Sequence, residues 1–198
     1  MHKILQACVI GAGLMGHGIA QVFAQAGHKV SLYDPDAATL DLAPQRVAHN
    51  LDQMGIASAP ILANIGLFTD LREAVSNADI VIEAVPERLE LKQKLFADIA
   101  GFAPPHTVLA SNTSVIPITA IGEMLGSEAR ARLVGTHWWN PPHLVPLVEV
   151  VRTEHTSLSV FESTFELLQS LGKSPVKVNR DVAGFIGNRL QHALWREA

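Results

Sequence analysis

Short apolar runs of about four to eight residues alternate along the chain with longer stretches whose apolar side chains recur every three or four positions. The short runs, residues 4–10, 29–33, 79–84, 107–110, 132–138, 147–152 and 175–178, predict strands. The longer stretches, residues 14–26, 88–102 and 158–171, predict helices, and in the second of them Leu89, Lys92, Leu95, Phe96 and Ile99 fall at helical spacing. A glycine, Gly172, follows the third, as a helix C-terminus favours. A short helical piece is expected after Pro117, and residues 147–152 read as an antiparallel return on residues 132–138. Strand and helix in succession define an α/β chain with a mostly parallel, doubly wound sheet.

The last stretch breaks this rhythm. From Gly184 the sequence GFIGNRLQHALWREA takes on helical spacing through Phe185, Leu190, Leu194 and Trp195. A helix with that much apolar surface needs a partner to pack against. The expected organisation is therefore a nucleotide-binding domain over residues 1–183 and, over residues 184–198, the first helix of a helical domain truncated in this chain.

Composition narrows the class. At 198 residues, 48% hydrophobic and 17% charged, the chain suits one substantial core. A formal charge of −4 gives no electrostatic reason to expect nucleic acid or an anionic membrane surface as partner. No apolar run approaches the roughly 20 residues needed to span a bilayer. The single cysteine, Cys8, lies among Ala7, Val9 and Ile10, reads as a buried strand thiol and suits a reducing compartment, so the cytoplasm is expected.

The first predicted strand runs into GAGLMGHG, which sets Gly11, Gly13 and Gly16 in GxGxxG spacing directly before a helix. Gly11 permits the tight turn, Gly13 lets a pyrophosphate approach the backbone, and Gly16 lets helix and strand pack closely. Leu14 and Met15 lie in the same turn, where the helix amino terminus offers free N–H groups to phosphate. Asp34 ends the second predicted strand, 23 residues beyond Gly11, where a carboxylate accepts from ribose hydroxyls and repels a 2′-phosphate. A Rossmann domain that prefers NAD to NADP is expected. The bland alternative for Asp34 is that it begins the turn Asp34-Pro35-Asp36.

The run HWWNPPHLVPLVEV places His137, Asn140, His143 and Glu149 among groups that favour burial. Polar groups in such surroundings need partners. No metal-ligand spacing of known type appears around His143, so no metal is expected. With GAGLMG, the stretches SNTS at Ser111 to Ser114, HWWNPP followed by Glu149, and LGKSPVKVNRDVAGFIGNR resemble the 3-hydroxyacyl-CoA dehydrogenase family. Their wording is closest to its lambda-crystallin and L-gulonate dehydrogenase branch.

The resemblance implies an NAD-dependent dehydrogenase that oxidises the C3 hydroxyl of an L-3-hydroxyacyl-CoA or a free 3-hydroxy acid. His137 matches the family base and Glu149 the carboxylate that orients it. Asn140 matches a residue beside the nicotinamide and the histidine. Ser114 and Asn188 match groups that hydrogen-bond the reacting oxygen. Glu87, Lys92 and, more weakly, Asn112 match positions on the cofactor side, where Ser114 and Asn140 also fall. A homodimer is implied when the helical domain is present. The competing class is a catalytically idle, crystallin-like NAD-binding protein.

The sequence also departs from the family. Coenzyme A-dependent members carry a long, lysine-bearing hairpin after the second strand, whereas residues 36–70 here hold one cation, Arg46, against Asp36, Asp41, Asp52 and Asp70. That balance opposes a multiply charged nucleotide tail. Ala183 stands where the family usually has proline before Gly184. Trp138 and Trp139 replace the usual phenylalanines; core packing is expected of at least one. His17, in the glycine loop, is expected to face solvent or the phosphates.

Overall fold

The computed structural model describes residues 5–198, so Ile4, the expected first residue of the first strand, lies outside the described residues. In chain order the elements are β1 (Gln6–Ile10), α1 (Gly16–Gln25), β2 (Lys29–Tyr33), α2 (Ala37–Gln53), α3 (Ala59–Leu62), β3 (Ile65–Phe68), α4 (Leu71–Val75), β4 (Ile80–Glu83) and α5 (Leu89–Phe102). There follow β5 (Val108–Ser111), α6 (Ile118–Ile121), α7 (Ser127–Ala131), β6 (Leu133–Trp138), β7 (Leu147–Val151), α8 (Leu158–Ser170), β8 (Ser174–Val178) and α9 (Gly187–Glu197). The strands form one sheet in the order β3-β2-β1-β4-β5-β6-β7-β8. Every pairing is parallel except β6 with β7. The chain winds outward from β1 in both directions, which opens a crevice at the carboxyl ends of β1 and β4.

Period-two geometry explains the continuous apolar runs. In β1, Ala7 and Val9 join one buried cluster with Phe23, Trp138, Val148 and Phe161, while Cys8 and Ile10 join a second with Phe96, Leu109 and Phe185 on the opposite face. Both faces are covered, so neither can be polar. Cys8 is fully buried, and burial pushes its thiol far up from its ordinary range. That is an inert strand thiol.

Residues 36–70 contain more structure than their pattern announced. Helix α2 buries only Leu40, Ala43, Val47 and Leu51, a narrow stripe interrupted on the outside by Pro44, and Asp36 caps it by accepting from the Ala38 N–H. Strand β3 is a half-exposed edge of four residues. Helix α8 ends where expected, with Gly172 in the left-handed region at φ 77°. By contrast, the last helix begins at Gly187; Gly184 and Phe185 turn instead, at φ 75° and 47°. No helix among the described residues is long and apolar enough to cross a membrane.

Candidate active site

The glycine turn is closed on its inner side and open on its outer side. A Cβ on Gly16 would lie 1.6 Å from the Gly11 oxygen, and one on Gly11 would lie 2.7 Å from the Ala84 oxygen. Gly11 has φ 97°, and its N–H donates to the Tyr33 oxygen at 2.8 Å. Around a Cβ on Gly13 there is nothing within 4 Å. Leu14 points outward and Met15 packs on the core, which leaves the first-turn amides of α1 facing the open side. Such a cradle fits a dinucleotide pyrophosphate.

Asp34 is both turn residue and clamp. One oxygen accepts from the Asp36 N–H at 3.0 Å and the other from the Ala12 N–H at 2.8 Å, inside the glycine turn. The Arg46 guanidinium approaches the Ala12 carbonyl from α2 at 3.4 Å. His17 does not face solvent. It is 8% exposed, and its Nδ1 meets the Gly13 oxygen at 2.7 Å. Burial pulls its pKa down, helped by Arg46 and opposed by the Gly13 bond. The α1 helix starts at Gly16, after the turn, which tucks this ring under the loop.

Antiparallel register assembles the second group. His137 on β6 stands directly opposite Glu149 on β7, so their side chains share one face of the sheet. His137 Nδ1 lies 2.7 Å from Glu149 Oε2, with the residues 4% and 2% exposed. The other carboxylate oxygen accepts from the Ile186 and Gly187 N–H groups at 2.8 and 3.0 Å. Burial pushes the Glu149 carboxyl up, but the bonds from His137, Gly187 and Ile186 outweigh it and hold the group below its usual range. A carboxylate on Nδ1 fixes the Nδ1–H tautomer and leaves Nε2 as the basic nitrogen.

Rings wall this pair. Trp139 lies 5.2 Å and Phe185 5.8 Å from the imidazole, centroid to centroid. Trp138 is in the core, 2% exposed, whereas Trp139 is half-buried beside His137. A Cβ on Gly187 would meet Trp139 Cζ2 at 2.4 Å and Glu149 Oε2 at 3.4 Å. Gly187→Ala is therefore expected to destabilise the fold by about 1–3 kcal/mol through overpacking, read as a lowered denaturant midpoint. An unchanged midpoint would show that Trp139 gives way freely.

The loop after β5 is organised by Glu87. Its Oε1 accepts from Thr113 Oγ1 and from the Ser114 and Val115 N–H groups, at 2.5, 2.9 and 3.0 Å. Asn188, at the start of α9, donates to the main-chain oxygen of Ser114 at 3.0 Å, so these two residues meet. Asn112 spends its Oδ1 on the Trp138 N–H at 2.9 Å, stapling the ends of β5 and β6. Asn140 is exposed at the edge of the loop after β6. Lys92 is enclosed, 1% exposed, with its ammonium 2.6 Å from Glu83 and 3.2 Å from Glu87.

Glu83 escaped sequence reasoning. It is fully buried, binds Lys92, accepts from Ser111 Oγ at 2.6 Å and from the Val85 N–H at 2.8 Å, and burial drives its carboxyl up. A carboxylate closing the apolar run IVIE was the available signal. Among the described residues no group of three or more His, Cys, Asp or Glu is arranged to hold a metal.

A glycine cradle at the head of a doubly wound sheet, with a buried His–Glu pair on β6 and β7 of the same sheet, defines a nicotinamide-dinucleotide-binding domain of the dehydrogenase type. Comparison makes this specific. The family model described as 3-hydroxyacyl-CoA dehydrogenase, NAD binding domain, matches residues 6–182, and the chain belongs to that family. It is 40% identical, over 98% of its length, to 5-formyl-3-hydroxy-2-methylpyridine 4-carboxylate 5-dehydrogenase of Mesorhizobium japonicum, and 39% identical over 92% to the human mitochondrial hydroxyacyl-coenzyme A dehydrogenase. It spans 64% and 61% of the length of those two relatives. The crystal structure of Escherichia coli 3-hydroxybutyryl-CoA dehydrogenase superposes with a TM-score of 0.92 at 39% identity, covering 98% of this chain and 42% of that one.

Proposed function

We propose that the chain carries the cofactor site and the base of an NAD-dependent dehydrogenase acting on the C3 hydroxyl of an L-3-hydroxyacyl compound. One observation supports this above the others: a buried imidazole whose Nδ1 is taken by a carboxylate, leaving Nε2 to accept a proton. Bound NAD supplies the carbon that accepts hydride from C3. His137 takes the hydroxyl proton at Nε2, and Glu149 stabilises the resulting imidazolium. The product is a 3-oxo compound.

The remaining residues position. Gly11, Gly13, Leu14, Met15 and Gly16 would hold the pyrophosphate by backbone, Asp34 the adenosine ribose, and Glu87, Lys92, Asn112 and Asn140 the nicotinamide side, with Lys92 acting through Glu87. Ser114 and Asn188 would steady the substrate oxygen. Asp34→Ala is expected to narrow the preference for NAD over NADP, measured as the ratio of dissociation constants. An unchanged ratio would reduce Asp34 to its bonds within the turn.

A free 3-hydroxy acid fits better than a coenzyme A ester, because residues 36–70 offer Arg46 alone against four aspartates, and Arg46 is directed at Ala12. Initial rates with 3-hydroxybutyrate and with its coenzyme A thioester test this; a kcat/KM favouring the thioester would overturn the preference. Leu190, Leu194 and Trp195 are each more than half exposed on α9. We assign that helix to a second, helical unit spanning residues 184–198 and beyond the 1–183 domain, which would pair two copies. The buried lone cysteine fits a cytoplasmic setting.

A further inference from the structure

Between β8 and α9 the chain makes a bend that the backbone alone does not favour. Phe185, a residue with a side chain, sits in the left-handed region at φ 47° directly after Gly184 at φ 75°. Such a residue is strained and persists only when its surroundings over-determine it. The bend matters because the next two residues, Ile186 and Gly187, present their N–H groups to Glu149, and the Phe185 ring lies against His137.

Anchors at both ends hold the bend. At its far end Asn188 donates to Ser114. At its near end Asp181 accepts from the Ile118 N–H at 2.9 Å through one oxygen and from the Thr119 N–H at 2.6 Å through the other, across more than sixty residues of sequence. Asp181 and Asn188 thus tie two ends of one segment, 181–188, to two ends of another, 114–119. Asp181 touches neither His137 nor Glu149.

We infer that Asp181 is a positioning residue for the His137–Glu149 pair, acting by fixing the bend that aims the Ile186 and Gly187 amides at Glu149. The alternative is a local role, capping the short helix α6 and nothing more. Removing the carboxylate separates the two roles. A local cap exposes Ile118 and Thr119 only, whereas a positioning anchor also releases Ile186 and Gly187, which lie across the segment from it.

The catalytic consequence rests on the proposed dehydrogenase activity; the structural consequence does not. Hydrogen exchange by NMR on the full chain, with Asp181→Ala, is expected to show protection falling about tenfold at Ile186 and Gly187 as well as at Ile118 and Thr119, and the His137 Nδ1–H resonance broadening. Under turnover, kcat is expected to fall about tenfold with KM for NAD unchanged. Asp181→Asn keeps the shape and one acceptor and should give intermediate changes, which carries the comparison if the alanine variant fails to fold. Loss confined to Ile118 and Thr119, with the His137 proton and kcat as in the wild type, would overturn the inference. A wild-type chain without dehydrogenase activity would instead count against the function, while the exchange data would still decide the role of Asp181.

Discussion

His137→Gln is expected to lower kcat for oxidation of a 3-hydroxy substrate by a factor of about 10²–10⁴ while leaving NAD affinity within about twofold. The loss has a geometric cause. Glutamine fills much of the imidazole volume but carries no group that takes a proton near neutral pH, so the hydroxyl proton would have to leave to water from a site walled by Trp139 and Phe185. Cofactor affinity should survive because the glycine turn, Asp34 and the α1 amino terminus lie on other strands, built from β1 and β2 rather than β6. Steady-state rates and calorimetric NAD titration measure the two quantities separately. A variant with wild-type kcat would remove His137 from the mechanism and with it the functional reading.

Glu149→Gln should act on both rate and stability. The wild-type carboxylate accepts three bonds, from His137 and from the Ile186 and Gly187 amides. A glutamine has one acceptor oxygen, so its NH₂ faces either the two amides, which sets buried donors against each other, or the imidazole, where it donates to Nδ1 and holds the ring as the Nε2–H tautomer. The first orientation is expected to cost about 1–3 kcal/mol in denaturant unfolding, and the second to lower kcat about 10²-fold or more through the wrong tautomer. Its pH signature is specific. Because the folded carboxyl is held below its ordinary value, the stability it contributes is fully present above about 4.3, the unfolded value, and is lost as pH falls through the lower folded value. The glutamine variant should lack that acid limb. A wild-type curve that is flat across this range, matching the variant, would show that the pair contributes nothing through its charge.

Much of this site was legible as pattern because its parts are local. The GAGLMG turn needs only neighbours in sequence, since the left-handed Gly11 and the clash a side chain on Gly16 would cause both arise within six residues. The twelve-residue spacing of His137 and Glu149 is the reach of an antiparallel return, and the pairing of β6 with β7 turns that spacing into a cross-strand contact. Helix α2 and strand β3 were less visible because a narrow apolar stripe and a half-exposed edge carry little periodic signal. Of the two expectations for His17, solvent is excluded and the neighbourhood of the glycine turn stays open, because the position of a ring at a helix start depends on where that start falls, and it falls after the turn.

By itself the sequence determined the alternation of strands and helices and the open backbone at Gly13, consequences of residue type and short spacing, while the family resemblance singled out His137 and Glu149 as a pair. Only the folded chain decided that the second oxygen of Glu149 is held by Ile186 and Gly187, that Lys92 is enclosed between Glu83 and Glu87, and that Asp181 reaches α6. Apart from the Lys92 contacts, which bridge a strand end and the next helix, these bonds join residues far apart in sequence. Their geometry is set by strand order and register, which emerge from packing the whole sheet at once rather than from the preferences of any one segment.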